Sequence, residues 1–112
     1  MKDTVYLLRP GFDDKGSIYF CPYSAQVVGF LAYYPQVRDT LDVIELGFAK
    51  PREPLASVLG ADHQSAPMLV LGDKRADVAN VKIQEAQGHA YVEKTIEFLR
   101  YLAATRGVPL PH

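Results

Sequence analysis

Residues 4–9 read Thr-Val-Tyr-Leu-Leu-Arg, a run that is apolar on both faces of an extended segment and is closed by Pro10-Gly11. A strand with one wet face alternates apolar and polar residues. One that does not alternate must be covered on both sides. The run therefore predicts a central strand with helices above and below it, which narrows the choice of fold to a layered α/β class.

The rest of the chain contains patterns for such layers. Phe12 to Ser17 is polar, holds Gly16, and reads as a loop. Phe20-Cys21-Pro22-Tyr23-Ser24 then opens a stretch in which Val27, Phe30, Leu31 and Tyr34 recur at helical spacing until Pro35. Pro22 suits the first helical position, where a missing N–H costs nothing. The pattern predicts a helix over 22–34 with Cys21 as its N-cap and its thiol facing solvent.

Leu41 to Phe48 alternates and reads as a second strand. Pro54 before Leu55, Val58 and Leu59, with Gly60 behind them, bounds a short helix. Met68 to Leu71, between Pro67 and Gly72-Asp73, reads as a third strand. Residues 74–88 are mostly polar and fit either an irregular insert or a weak helix. Ala90-Tyr91-Val92 reads as a fourth strand. Ile96, Leu99, Leu102 and Ala103 mark a last helix with Thr95 as cap and Arg106-Gly107 as stop. The expected order is β-α-β-α-β-β-α, a four-stranded mixed sheet inside a three-layer sandwich. At 112 residues, 48% hydrophobic and 22% charged, the chain fits one domain over 1–112 with a self-sufficient core.

A net charge of -1 without a basic block argues against nucleic acid or an anionic membrane as partner. Lys2-Asp3-Thr4 runs straight into the first strand, so no leader is read, and no apolar run reaches membrane length. One cysteine permits no internal disulfide, and the expected compartment is the cytoplasm. Cys21, His63, His89 and His112 are too scattered for a metal site. The expectation is no metal and no permanently bound cofactor.

Cys21 is the residue with chemistry to offer. A thiol reacts as the thiolate, and a helix N-terminus presents unpaired N–H groups and positive dipole to such an anion. Pro22 fixes the turn into the helix, and Ser24 can offer a hydroxyl to the sulfur. Ser24 also stands where a second, resolving cysteine would close an intramolecular disulfide, so turnover would draw on an external thiol. The plainer alternative is a packed, inert cysteine.

Cys21-Pro22-Tyr23-Ser24 resembles the active-site tetrad of monothiol glutaredoxins. Ser65-Ala66-Pro67-Met68-Leu69-Val70 resembles the stretch around the cis-proline that faces this cysteine in thioredoxin-fold proteins. Lys94 to Ala103 resembles the last helix of glutathione-transferase N-terminal domains. The whole is similar to a bacterial thioredoxin-like family of unknown function. The resemblance implies a thioredoxin-like, glutaredoxin-like fold with Cys21 as reacting sulfur and Ser24 beside it. It implies a cis Pro67 that exposes the backbone of Ala66 for strand-like pairing with a peptide or glutathione. It also implies substrate contacts from Pro22 and Tyr23, a γ-glutamyl carboxylate held at Thr95, and a side-chain contact from Gln64 or Lys94. Glutathione would be a co-substrate, and glutathione or a protein thiol the partner.

Three features differ from those families. Residues 10–20 form a longer link, Gly72-Asp73-Lys-Arg stands in place of Gly-Gly-x-Asp, and Lys94-Thr95 stands in place of Glu-Ser.

Two functions from different classes follow. One is a monothiol, glutathione-linked thiol–disulfide oxidoreductase, with an arsenate-reductase-like site ranked below it because no arginine cluster is evident near Cys21. The other is a binding or structural module without turnover. His63 can face the site or be incidental, and the tyrosines other than Tyr23 read as packing residues. Pairing into a homodimer stays open.

Overall fold

A computed structural model describes residues 1–112. β1 (Asp3–Leu8) is buried along its whole length. It lies between β4 (Leu41–Leu46), to which it runs parallel, and β5 (Met68–Val70), to which it runs antiparallel. β7 (His89–Val92) follows β5, and β6 (Gln84–Ala86) closes the edge, giving a five-stranded mixed sheet of order β4-β1-β5-β7-β6. β2 (Phe12–Asp14) and β3 (Ser17–Tyr19) form a separate hairpin. The helices are α1 (Pro22–Tyr33), α2 (Pro35–Arg38), α3 (Leu55–Leu59) and α4 (Thr95–Arg106).

β1 shows why both faces had to be covered. Val5 and Leu7 join a core with Val27 and Leu31 of α1 and Phe98 and Leu102 of α4. Tyr6 and Leu8 join a second core with Leu55 and Leu59 of α3. Alternate side chains of a strand point to opposite faces, so one apolar run feeds both cores. Truncating a side chain as fully enclosed as Phe98 costs about 3–5 kcal/mol.

The sheet has five strands, where the sequence pattern suggested four. The extra strand, β6, lies in the polar 74–88 stretch and pairs only with β7, across a turn at Gln87 and Gly88 with φ of 48° and 77°. As an edge strand with one neighbour, it needs no apolar face. The segment expected as a loop after Pro10 is the β2–β3 hairpin, which turns at Lys15 and Gly16 with φ of 54° and 89°. The Asp13 carboxylate accepts the Gly16 N–H at 3.0 Å across that turn.

Pro35 does end α1, with Tyr34 as C-cap, and it also starts α2 as its first residue. Thr95 is the first residue of α4 rather than its cap. Lys94 holds the N-cap position without a side-chain capping bond, and Gly107 closes the helix at φ 70°. The Lys50-Pro51, Glu53-Pro54 and Ala66-Pro67 bonds are cis.

Where β1 begins, charges are closely paired. The Asp3 carboxylate accepts the Gly72 N–H at 2.7 Å and an Arg106 N–H at 3.0 Å. Arg106 also donates to the Thr40 hydroxyl at 3.0 Å. The Met1 amine pairs with Asp73, and a Cβ on Gly72 would overlap the Met1 carbonyl. No helix is long and apolar enough to cross a membrane.

Candidate functional site

The other end of β1 meets the start of α1. Cys21 occupies the N-cap in an extended conformation, φ -81° and ψ 117°, with Pro22 as the first helical residue. Its Sγ accepts the Ser24 N–H at 3.4 Å and lies 3.9 Å from the Ala66 carbonyl oxygen, within reach of the weak S–H donor. The sulfur therefore sits between helix dipole and β5 lead-in, half-buried, with the cis Pro67 next to its carbonyl partner.

The Ser24 side chain has a different partner from the one expected. It is buried, and its Oγ accepts the N–H of Leu8 at 3.1 Å. That bond satisfies the last donor of β1 and joins strand to helix. Only the Ser24 backbone reaches the sulfur.

Two surfaces flank Cys21. On one side a groove of about 440 Å³ brings together Tyr23, Gln26, Ala66, Pro67, Lys94 and Thr95. Three distant stretches of sequence thus meet at one place, and Tyr23 is 59% exposed above them. On the other side, an apolar groove of about 310 Å³ is walled by Phe12, Tyr19, Phe20, Pro22 and Phe48 and includes Cys21. Phe12 and Phe48 stack in parallel there, with centroids 4.4 Å apart. Phe20 also borders a smaller hollow shared by Cys21, Ser24 and Val28. The β2–β3 hairpin builds most of this apolar wall, and Ile18, Tyr19 and Phe20 stay exposed on it.

Of the further residues weighed for the site, His63 turns toward Tyr91. Its Nδ1 faces the Tyr91 hydroxyl at 3.2 Å. Burial raises Tyr91 above the ordinary phenolic value, helped by the charge of Glu93, and burial alone raises Tyr6. The Gln64 side chain is enclosed and bonded to backbone, its Oε1 accepting the Arg52 N–H at 2.6 Å and its Nε2 donating to Ala61 at 2.8 Å. Lys94 borders the larger groove. No three His, Cys, Asp or Glu side chains converge as metal ligands.

Arg52 is the residue that sequence reasoning missed. Its guanidinium lies 5.4 Å over the Phe48 ring and donates to the Phe48 and Gln64 carbonyls, both at 2.9 Å. Burial lowers its ionisation from the ordinary arginine value, and the nearby Cys21 charge opposes that shift. It lies in the β4–α3 loop, and no local pattern signals these contacts.

The arrangement offers a sulfur at a helix mouth, a backbone carbonyl opposite, a polar groove on one side and an aromatic one on the other. No curated protein and no solved structure matches the chain. The model of a family described as a protein of unknown function (DUF3088) matches residues 2–110, and the chain belongs to that family.

Proposed function

We propose that this is a thioredoxin-like, cytoplasmic protein that uses Cys21 as a monothiol, glutathione-linked thiol–disulfide oxidoreductase. The observation that carries the reading is the meeting of Cys21 Sγ with the Ala66 carbonyl, beside a groove shared by Tyr23, Pro67 and Thr95. The order β4-β1-β5-β7, with β4 parallel to β1 and β5 and β7 antiparallel to their neighbours, supports the thioredoxin-like assignment.

In the first step the Cys21 thiolate attacks the glutathione sulfur of a mixed disulfide. A Cys21–glutathione disulfide forms, and the substrate leaves as a thiolate that takes a proton from water. In the second step the thiolate of another glutathione attacks the glutathione sulfur of that disulfide. Oxidised glutathione forms and the Cys21 thiolate returns. Ala66 would pair with the glutathione backbone, and the first turn of α4 at Thr95 would take its γ-glutamyl carboxylate. Pro22 and Tyr23 would border the bound tripeptide.

A Cys21→Ser comparison in a small-disulfide reductase assay with glutathione tests this. Turnover should fall to background in the variant, and equal background rates for both proteins would remove the enzyme reading.

A binding module without turnover is the second reading, favoured by exposed Ile18, Tyr19 and Phe20 beside the thiol. A glutathione titration followed by NMR separates the two. Shifts at Cys21, Ala66 and Thr95 support the first reading, and their absence supports the second.

A further inference from the structure

From Gly16 to Val37 the chain carries no Asp, Glu, Lys, Arg or His, although 22% of its residues are charged. That run includes β3 and all of α1. Val27 and Leu31 turn inward to the core, yet the outward face of the helix is hardly more polar. Ala25, Gln26, Val28, Gly29, Ala32 and Tyr33 are exposed on it, and only Gln26 among them is strongly polar. A helix that is apolar all round is ordinarily covered on every side. Within one chain, the outer side of α1 has no cover.

The bare face continues beyond the helix. Phe20, Ala25 and Val28 border the same small hollow, which joins the exposed end of the hairpin to α1. Ile18, Phe20, Val28 and Tyr33 are 67%, 61%, 51% and 81% exposed. With the small residues between them they present roughly 700 Å² of uncharged surface, close to what each partner contributes to a stable interface. That exceeds the apolar patch most monomers leave open. Charges of both signs stand at the rim: Arg9, Arg38 and Glu45 beside Val28, and Glu93 and Lys94 beyond Gln26. An apolar centre with a charged rim is the anatomy of an association surface.

We propose that this face binds a second copy of the chain, with the α1 helices of the two protomers packed against each other. Gly29 points to that occupant. Its φ is not positive, and a Cβ there would meet no atom within 4 Å, so the fold of one chain does not ask for glycine. Glycine inside a helix is nevertheless less stable than alanine. Ala25 lies four residues before it and Ala32 three after, on the same stripe, so the helix is narrow along that line. Around a two-fold axis the stripe meets its own copy, and a face without charge meets no repulsion in doing so. The second copy closes the hollow on the α1 side of Cys21 and leaves the groove at Ala66, Pro67 and Thr95 open.

Sedimentation velocity of the full chain, with a reductant present to exclude an intermolecular Cys21 disulfide, tests this from about 1 to about 100 μM. At the upper concentration the mass should be twice the 12.4 kDa of one chain. Gly29→Arg should weaken association at least about 100-fold by setting two cations face to face. Arginine has open space there and forms helix better than glycine, so the fold should hold. Should it not, Tyr33→Arg places the charge at the most exposed position of the face, with the same expected loss.

Raising salt from about 0.05 to about 1 M should leave the pair intact, because its centre is uncharged. Dissociation by salt would assign the contact to a charged face and overturn the proposal. A single-chain mass at about 100 μM would overturn it too, as would pairing that persists in both arginine variants. A monomer that co-floats with phosphatidylcholine vesicles would overturn it in favour of a lipid surface. Cys21→Ser should still pair, so this inference and the oxidoreductase reading stand or fall separately.

Discussion

The two ends of β1 each have an arginine, and the two arginines are treated in opposite ways. Where the strand begins, Arg106 meets the buried Asp3 carboxylate and two hydroxyl groups, with side chains only 16% and 8% exposed across the ion pair. Where it ends, Arg52 finds carbonyls alone. A cavity of about 660 Å³, larger than either groove beside Cys21, opens at the first end, among Lys2, Asp3, Thr40 and Arg106. Size alone would make it the site. Its buried acid and base already satisfy each other, so it reads as a clamp that holds the strand start to α4. The smaller grooves beside Cys21 adjoin the thiol itself and hold no such ion pair.

The largest expected effect comes from breaking the paired end. Asp3→Ala leaves Arg106 and the Gly72 N–H without their acceptor and should cost about 3 kcal/mol in denaturant unfolding. Cys21 alkylation should stay unchanged, and a changed rate would mean that the two ends are coupled. Ser24→Ala breaks the buried polar tie at the other end. It strands the Leu8 N–H and should cost about 1–2 kcal/mol by the same measurement, while the backbone N–H to the sulfur remains.

The smallest effect concerns pH. Tyr6 and Tyr91 lie in the core on the α3 face of the sheet, against which Cys21 packs. Both phenols ionise in the fold above the ordinary value of 10.0. The unfolded chain thus gives up these protons first. The contribution of each phenol is fully present below about pH 10 and is lost as pH rises toward the folded value. Tyr91→Phe should reduce the alkaline loss by less than about 1 kcal/mol at about pH 10.5, measured as unfolding free energy against pH.

What could be read in advance was local. Pro22 behind Cys21, the stripe of Val27 and Leu31, and Gly107 after Arg106 each act within a few residues, and α1 and α4 stand where those signals place them. The two missed hairpins share a cause. Both turn on a positive-φ pair ending in glycine, Lys15-Gly16 and Gln87-Gly88, without the asparagine or aspartate that usually announces such a turn. Their strands are also short and carry little apolar alternation. Pairing with a neighbour rather than pattern defines them. Ser24 and Arg52 were illegible for another reason, since their roles depend on Leu8 and Gln64, which only the fold brings within hydrogen-bonding distance.

The bond from Leu8 to Ser24 also constrains how this site can change over evolutionary time. A cysteine at position 24 would give the motif a second thiol, yet sulfur is a poor acceptor for the amide that now depends on the serine oxygen. A one-step change to a second thiol would exchange the oxygen acceptor of the Leu8 N–H for a weaker sulfur one. The strand–helix junction thus sets a stability cost on a second thiol at this position, which a compensating change near Leu8 would offset.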